Sequence, residues 1–260
     1  MEAKPARPDR ASGVATTDRA NDAAVAEQAA ALQATYGGLS PQRVIEAAIH
    51  HFGSAEIAAV SSFGADSAVL LHMIAEIDRS VPVIFLDTGQ HFGETLQYRD
   101  QLIGDFALSN LRIITPLEDA LAAGDPDGTL HKRDTEACCA IRKVEPMARS
   151  VEPYAAWFTG RKRFQAETRK AMDVFEAVGP RVRINPLASW GTSDLAGYMR
   201  DNALRENPLV AYGYLSIGCF PCTQPVQPGE DARSGRWAGQ AKTECGIHLP
   251  GLENAVQAVR

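Results

Sequence analysis

Cys245, in Glu244-Cys245-Gly246-Ile247-His248, stands apart from four other cysteines that fall into two pairs. Cys138 and Cys139 are adjacent, and Cys219 and Cys222 form a C-x-x-C that begins 80 positions after Cys139. Four thiolates suffice for one metal centre, which leaves the fifth cysteine as a candidate nucleophile. A thiol near lysine and arginine is biased toward the reactive thiolate, and Lys242 lies three residues before Cys245. A cysteine in such a place can also be an idle, buried thiol.

Spacing leaves three readings of the paired cysteines open. Structural zinc takes four cysteines, but usually as two C-x-x-C knuckles, and adjacent cysteines suit a knuckle poorly. An iron–sulfur cube spreads its irons apart, so neighbouring residues can each reach a different iron. Without a metal, Cys219 and Cys222 form a redox pair and Cys138 and Cys139 are core thiols.

Positive charge gathers near these motifs, at His131-Lys132-Arg133, Arg142-Lys143, Arg161-Lys162-Arg163, Arg169-Lys170 and the pair Arg233/Arg236. Any one cluster can be solvated surface, but together they suit a small anion. The net charge of −6 argues against a nucleic-acid surface. No run of 18 or more apolar residues is present, so no membrane span is expected. The N-terminus lacks a secretory pattern, and five cysteines do not make a disulfide framework, so a reducing cytoplasm is the expected compartment.

The elements that must position these residues alternate. Apolar runs at 57–61, 82–86, 111–114, 155–159 and 182–184 read as strands, and 82–86 is continuous, as in a strand buried on both faces. Helical patterns fall at 41–51, from Asp66 through Ile77, and at 94–106, 140–150 and 192–203. The expectation is an α/β fold, a single-domain and mostly parallel sheet flanked by helices. Residues 1–38 read as a flexible tail with at most a transient Ala-rich helix. Residues 39–210 read as the α/β domain, and 211–260 as a loop-rich segment with a mobile catalytic tail.

Ser62-Phe63-Gly64-Ala65-Asp66-Ser67 joins the first strand to its helix, where backbone N–H groups and hydroxyls make an anion cradle. It is not a Walker A loop. It resembles the loop of the adenine-nucleotide alpha-hydrolase-like superfamily, Ser-Gly-Gly-x-Asp-Ser, with Phe63 for the first glycine as in the reductase branch. Leu86-Asp87-Thr88-Gly89 at the next strand end strengthens the resemblance. Both motifs fall at strand carboxyl ends, where open parallel sheets bind ligands.

Cys138-Cys139-Ala140-Ile141-Arg142-Lys143 and Gly218-Cys219-Phe220-Pro221-Cys222-Thr223 are similar to the two halves of the cluster motif of adenylyl-sulfate (APS) reductases. Glu244-Cys245-Gly246-Ile247-His248-Leu249 is similar to the catalytic motif of the wider sulfonucleotide reductases. This resemblance implies reduction of adenosine 5′-phosphosulfate to sulfite and AMP in sulfate assimilation and cysteine biosynthesis, with thioredoxin as donor. It implies a [4Fe-4S] cluster on Cys138, Cys139, Cys219 and Cys222, and an S-sulfocysteine on Cys245. It implies that Ser61, Ser62 and Ser67 line the loop, that Leu86, Thr88 and Gly160 meet adenine or ribose, and that Lys143, Arg169, Arg233 and Arg236 hold the phosphosulfate. Two rivals are a reductase of the 3′-phosphorylated nucleotide (PAPS), a branch that typically lacks the four paired cysteines, and a non-reductase nucleotide-binding protein of the superfamily. The oligomeric state is left open, a homo-oligomer included.

Overall fold

The computed structural model describes residues 11–238, 242 and 244–248, and the side chains of 21–238, 242 and 244–247. Six strands make one sheet: β1 (Ile57–Val60), β2 (Val83–Leu86), β3 (Leu111–Ile114), β4 (Ala156–Thr159), β5 (Phe175–Val178) and β6 (Arg181–Ile184). Their order is β3-β2-β1-β4-β6-β5, all parallel except the β5–β6 hairpin. The chain winds from β1 to β2 and β3, then returns to the other side of β1 to place β4. The order therefore reverses beside β1, and the crevice between the carboxyl ends of β1 and β4 is the natural ligand site.

Alternation along the strands builds two cores. Ile57, Ala59, Val83, Phe85, Ala156 and Phe158 face one layer of helices. It comprises α1 (Ala11–Tyr36), α2 (Pro41–Phe52), α3 (Ser67–Ile77), α4 (Gly93–Asp105) and, after β6, α9 (Thr192–Asp201). Ala58, Ile84, Leu86 and Trp157 face the other way, onto Met147, Ala148 and Val151 of α8 (Glu145–Val151). Side chains alternate because successive Cβ atoms leave a strand on opposite faces. The central strands are buried on both, which is why 82–86 reads as a continuous apolar run.

Between β3 and α8 the chain forms α5 (Glu118–Gly124), the short α6 (Leu130–Arg133) and α7 (Thr135–Cys139), whose N-terminus Asp134 caps through Ala137 N–H at 2.9 Å. A π-helical turn, Ala140–Val144, joins α7 to α8. The expected single helix over 140–150 is thus interrupted by one widened turn, a feature often found at functional sites. It falls directly after Cys138-Cys139 and carries Arg142 and Lys143.

The expected flexible tail over 1–38 needs correcting within the described residues. Residues 11–36 are helical, and α1 packs Ala29 and Leu32 into the core beside β5. The Gln33 side-chain oxygen accepts from the Val174 and Phe175 N–H groups, both at 3.0 Å, protecting the start of the outermost strand. Polar and alanine-rich composition concealed this helix because only a few of its side chains enter the core. Residues 1–10, and those after 248, lie outside the described residues.

Candidate active site

A cavity of about 450 Å³ opens at the switch point and is lined by the loops after β1 and β4, the start of α3, and the segment carrying Arg233 to Cys245. Ten of the eleven residues expected at substrate or nucleophile positions are on its wall: Ser61, Ser62, Ser67, Leu86, Lys143, Gly160, Arg169, Arg233, Arg236 and Cys245. Thr88 is the exception. It is 1 % exposed, its carbonyl accepts from Arg142 Nη1 at 2.7 Å, and its Oγ1 lies 3.3 Å from Cys219 Sγ. The Thr88 side chain thus faces Cys219 rather than the cavity.

The loop after β1 is held in a shape glycine would favour. Phe63 has φ of +49° and is fully buried, edge-on to Phe85. A left-handed backbone costs a non-glycine residue roughly 1–2 kcal/mol, while burying a phenylalanine side chain gains about 1.5–3 kcal/mol. Burial therefore offsets the strain. Phe63 N–H donates to Ser61 Oγ at 3.2 Å, and Asn207 Nδ2 donates to the Phe63 carbonyl at 3.1 Å, fixing the turn from both sides. Asp66, at the N-cap of α3, makes no side-chain cap and instead pairs with Lys162 Nζ at 2.7 Å. The α3 N-terminus, with its partial positive charge, is left without a side-chain cap beside the cavity.

Cations dominate the wall, and several have assigned partners. Arg161 pairs with Glu176 at 2.8 Å, and Arg183 reaches the same carboxylate oxygen at 3.0 Å. Burial pushes Arg161 down to about 10. Glu176 belongs to β5, the strand absent from the sequence expectation. Its signal was the Gly179-Pro180 turn between two short apolar runs. Arg169, 3 % exposed, grips Glu244 with two bonds, Nε to Oε1 at 2.6 Å and Nη2 to Oε2 at 2.7 Å. Arg233 approaches Glu244 at 3.6 Å. Lys143 and Arg236 make no ion pair with a carboxylate among the described residues, and both face sulfur. Burial opposes the charge of Lys143, but Cys219, Cys245 and Cys139 outweigh it and raise its pKa.

Arg236 lies over the Trp237 ring, 4.5 Å from its centre, and Gly218 gives it room. A Cβ on Gly218 would sit 2.4 Å from Arg236 Nη2. Trp237 N–H donates to the Cys222 carbonyl at 3.1 Å, so the C-x-x-C loop and the arginine segment are joined. Lys242 pairs with Glu136 of α7 at 2.5 Å and lies 5.7 Å from the Trp237 ring centre. Its charge is thus engaged with α7, and the cations that act on Cys245 are Lys143 and Arg236.

Cys138, Cys139 and Cys219 are buried and Cys222 is half-buried; none is on the cavity wall. Burial pushes Cys138 up to about 11 and also raises Cys222. Cys139 donates toward Cys245, which raises its own pKa and lowers that of Cys245 well below the thiol range. Burial opposes the Cys245 shift, while Lys143, the Ile247 N–H and Arg236 support it. A metal-bound Cys139 has no proton to donate, and these three groups would then hold the thiolate. Among the described residues no three Cys, His, Asp or Glu side chains converge as they would around one metal ion. A cube needs wider spacing than one ion. The four soft donors, enclosed with Lys143, Arg236 and the Thr88 hydroxyl, fit such an anionic cluster.

Arg142 and Asp125 are positioning residues that motif spacing did not reveal. Arg142 Nη2 pairs with Asp125 at 2.6 Å, Asp125 accepts from Leu130 N–H at 2.8 Å, and Arg142 also holds Thr88. This buried strut joins the β2 loop to the turn after the cysteine pair.

Residues 56–225 match the model of the phosphoadenosine phosphosulfate reductase domain. The chain belongs to that family. A relative from Mesorhizobium japonicum named adenosine 5′-phosphosulfate reductase is 72% identical over 89% of this chain and 91% of its own length. A Gloeobacter violaceus relative named phosphoadenosine 5′-phosphosulfate reductase is 41% identical over 81% and 89%. The crystal structure of phosphoadenylyl-sulfate (PAPS) reductase from Candida auris, a phosphate complex, superposes with a TM-score of 0.65 at 29% identity, covering 77% of this chain and 97% of that one. The reductase fold is thus shared, and the loops after β1 and β4 and the start of α3 fall within the matched domain, whereas Arg233, Arg236, Glu244 and Cys245 lie beyond residue 225. Among the described residues, no helix is long and apolar enough to cross a membrane.

Proposed function

We propose that this reductase converts adenosine 5′-phosphosulfate to sulfite and AMP in sulfate assimilation, with Cys245 as nucleophile and a thioredoxin as donor. The observation that carries the reading is the division of the cysteines. Cys245 is on a cation-rich cavity wall, and the other four are off it.

In the proposed reaction the Cys245 thiolate attacks the sulfate sulfur. The bond from that sulfur to the bridging oxygen breaks, and the electron pair leaves on AMP. A thiolate of the donor then attacks Cys245 Sγ, expelling sulfite, and the donor's second thiol resolves the mixed disulfide and restores Cys245. Two anions must meet, so cations have to offset their repulsion. Lys143, Arg233 and Arg236 are the residues we assign to the phosphosulfate. Ser62, Ser67 and the loop N–H groups take the α-phosphate side, and Leu86 and Gly160 offer backbone groups to the nucleoside. The Leu86 carbonyl already accepts from His91 Nε2 at 2.9 Å and keeps a second lone pair.

A [4Fe-4S] cluster on Cys138, Cys139, Cys219 and Cys222 is part of the proposal, as is a cytoplasmic setting. When bound, the cluster supplies fixed negative charge and a cross-link between α7 and the 219–222 loop. The chain's contribution is to hold Lys143 between those sulfurs and the cavity. Incubating the protein with APS and no donor should leave one sulfonate on the peptide containing Cys245, read by mass spectrometry. Label on another cysteine, or none with the nucleotide consumed, contradicts the assignment. Reduction of PAPS is the second reading, favoured by the name of the Gloeobacter violaceus relative.

A further inference from the structure

The Glu244–Arg169 pair has a geometry the reaction above does not use. Both side chains are buried, Glu244 at 8 % and Arg169 at 3 % exposure, and both line the cavity. The contact is bidentate, the arrangement in which guanidinium and carboxylate fix each other's orientation. Gln165 Oε1 accepts from Arg169 Nη1 at 2.7 Å and holds the guanidinium in its plane. Glu244 immediately precedes Cys245.

Two residues before Glu244, Lys242 pairs with Glu136 of α7. The two ion pairs therefore tie Lys242 and Glu244 to the helix bearing the cysteine pair and to the loop after β4, on the N-terminal side of Cys245. They are unequal, because Glu136 is 69 % exposed while both members of the Arg169 pair are enclosed. The Lys242 side chain is itself enclosed, so that pair has one member in water and contributes less than the other, whereas breaking the fully buried pair leaves an uncompensated charge. Beyond Cys245, a Cβ on Gly246 would meet Val144 Cγ2 at 2.8 Å, and Ile247 packs on the α8 core. The short segment is seated with little room to shift.

We infer that Glu244 is a positioning residue whose carboxylate, clasped by Arg169, seats the Cys245 sulfur in the cavity, so that Arg169 acts on the reaction through Glu244 rather than by binding the substrate anion. The inference deepens the reductase reading and rests on Cys245 being its nucleophile. It revises the role that the resemblance gives to Arg169. It also explains why the wall needs Lys143, Arg233 and Arg236 besides Arg169: the Arg169 guanidinium face is committed to the protein.

The test is hydrogen–deuterium exchange of the peptide containing Glu244 to Ile247, in the full chain purified anaerobically without nucleotide. It compares wild type, Glu244→Gln, Arg169→Met and the double variant, and sulfite kinetics with APS run alongside. Exchange should accelerate at least about tenfold in each single variant, and the double variant should add no more than either alone. In both single variants kcat should fall while KM for APS stays within about threefold. Unchanged exchange in Glu244→Gln, additive effects in the double variant, or a KM rise confined to Arg169→Met would each overturn the inference. The last result would return Arg169 to the substrate. These outcomes leave the reductase reading standing. Failure of that reading shows separately, as absence of sulfite from wild type, and the exchange comparison does not depend on it.

Discussion

Cysteine serves opposite ends in two regions a few residues apart. On the cavity wall, the neighbouring Cys139 thiol, then Lys143, the Ile247 N–H and Arg236, lower the pKa of Cys245 against its burial. Behind the wall, burial raises Cys138 and Cys222. Enclosure is common to both, since Cys245 is as buried as Cys138 and Cys219, and what differs is the balance of neighbouring donors and cations against it. Lys143 belongs to both, since it faces Cys219 and Cys139 as well as Cys245. Local charge and access to the cavity, more than residue type, separate the candidate nucleophile from the other four cysteines. The two regions are joined by a few buried contacts that can be cut one at a time.

The largest expected effect separates the regions. Cys245→Ser should abolish sulfite release by several orders of magnitude while iron per chain stays at the wild-type level. Cys219→Ser should lose iron and activity together, and full activity in an iron-free variant would remove the cluster from the account. Asp125→Asn leaves Arg142 buried without its charged partner and should cost about 3–5 kcal/mol, read from denaturant unfolding, with weaker iron retention. An unfolding midpoint equal to wild type would mean the strut does not join the regions. Phe63→Gly trades the ring for a relaxed turn. The loss of roughly 3–5 kcal/mol from the emptied site, less about 1 kcal/mol of relieved strain, should leave a net destabilisation of about 2–4 kcal/mol. A neutral result would show that the ring does not anchor the loop. Glu136→Gln, at the exposed end of the Lys242 pair, should cost at most about 1 kcal/mol, and more than that would reveal a contact of greater weight.

The fold was legible wherever the strand is central. The continuous apolar run at 82–86 announces burial on both faces, 155–159 reads as a strand, and the alternation with helices implies the parallel order. The edges were less legible. β5 is four residues long with Glu176 at its centre, and that glutamate serves the site by holding Arg161 and Arg183. α1 was read as a tail because Gln33, which matters most to its docking, is polar and acts through hydrogen bonds to β5. In the site, the cysteine motifs and most cavity residues could be read because their chemistry is tied to residue type. Thr88, Asp125 and Glu244 could not, since their roles depend on which partner the fold brings to them. The π-helical turn after Cys139 left no mark in the sequence, as its residues suit an ordinary helix equally well.

The central claim is that Cys245 reduces the sulfate group of APS within this cavity. The direct measurement is the initial rate of sulfite release from APS and from PAPS, with reduced thioredoxin and protein prepared anaerobically and supplied with iron and sulfide. The expected result is rapid release from APS and much slower release from PAPS. Faster release from PAPS would keep Cys245 as nucleophile but contradict the assigned substrate. No sulfite from either nucleotide would contradict the claim itself.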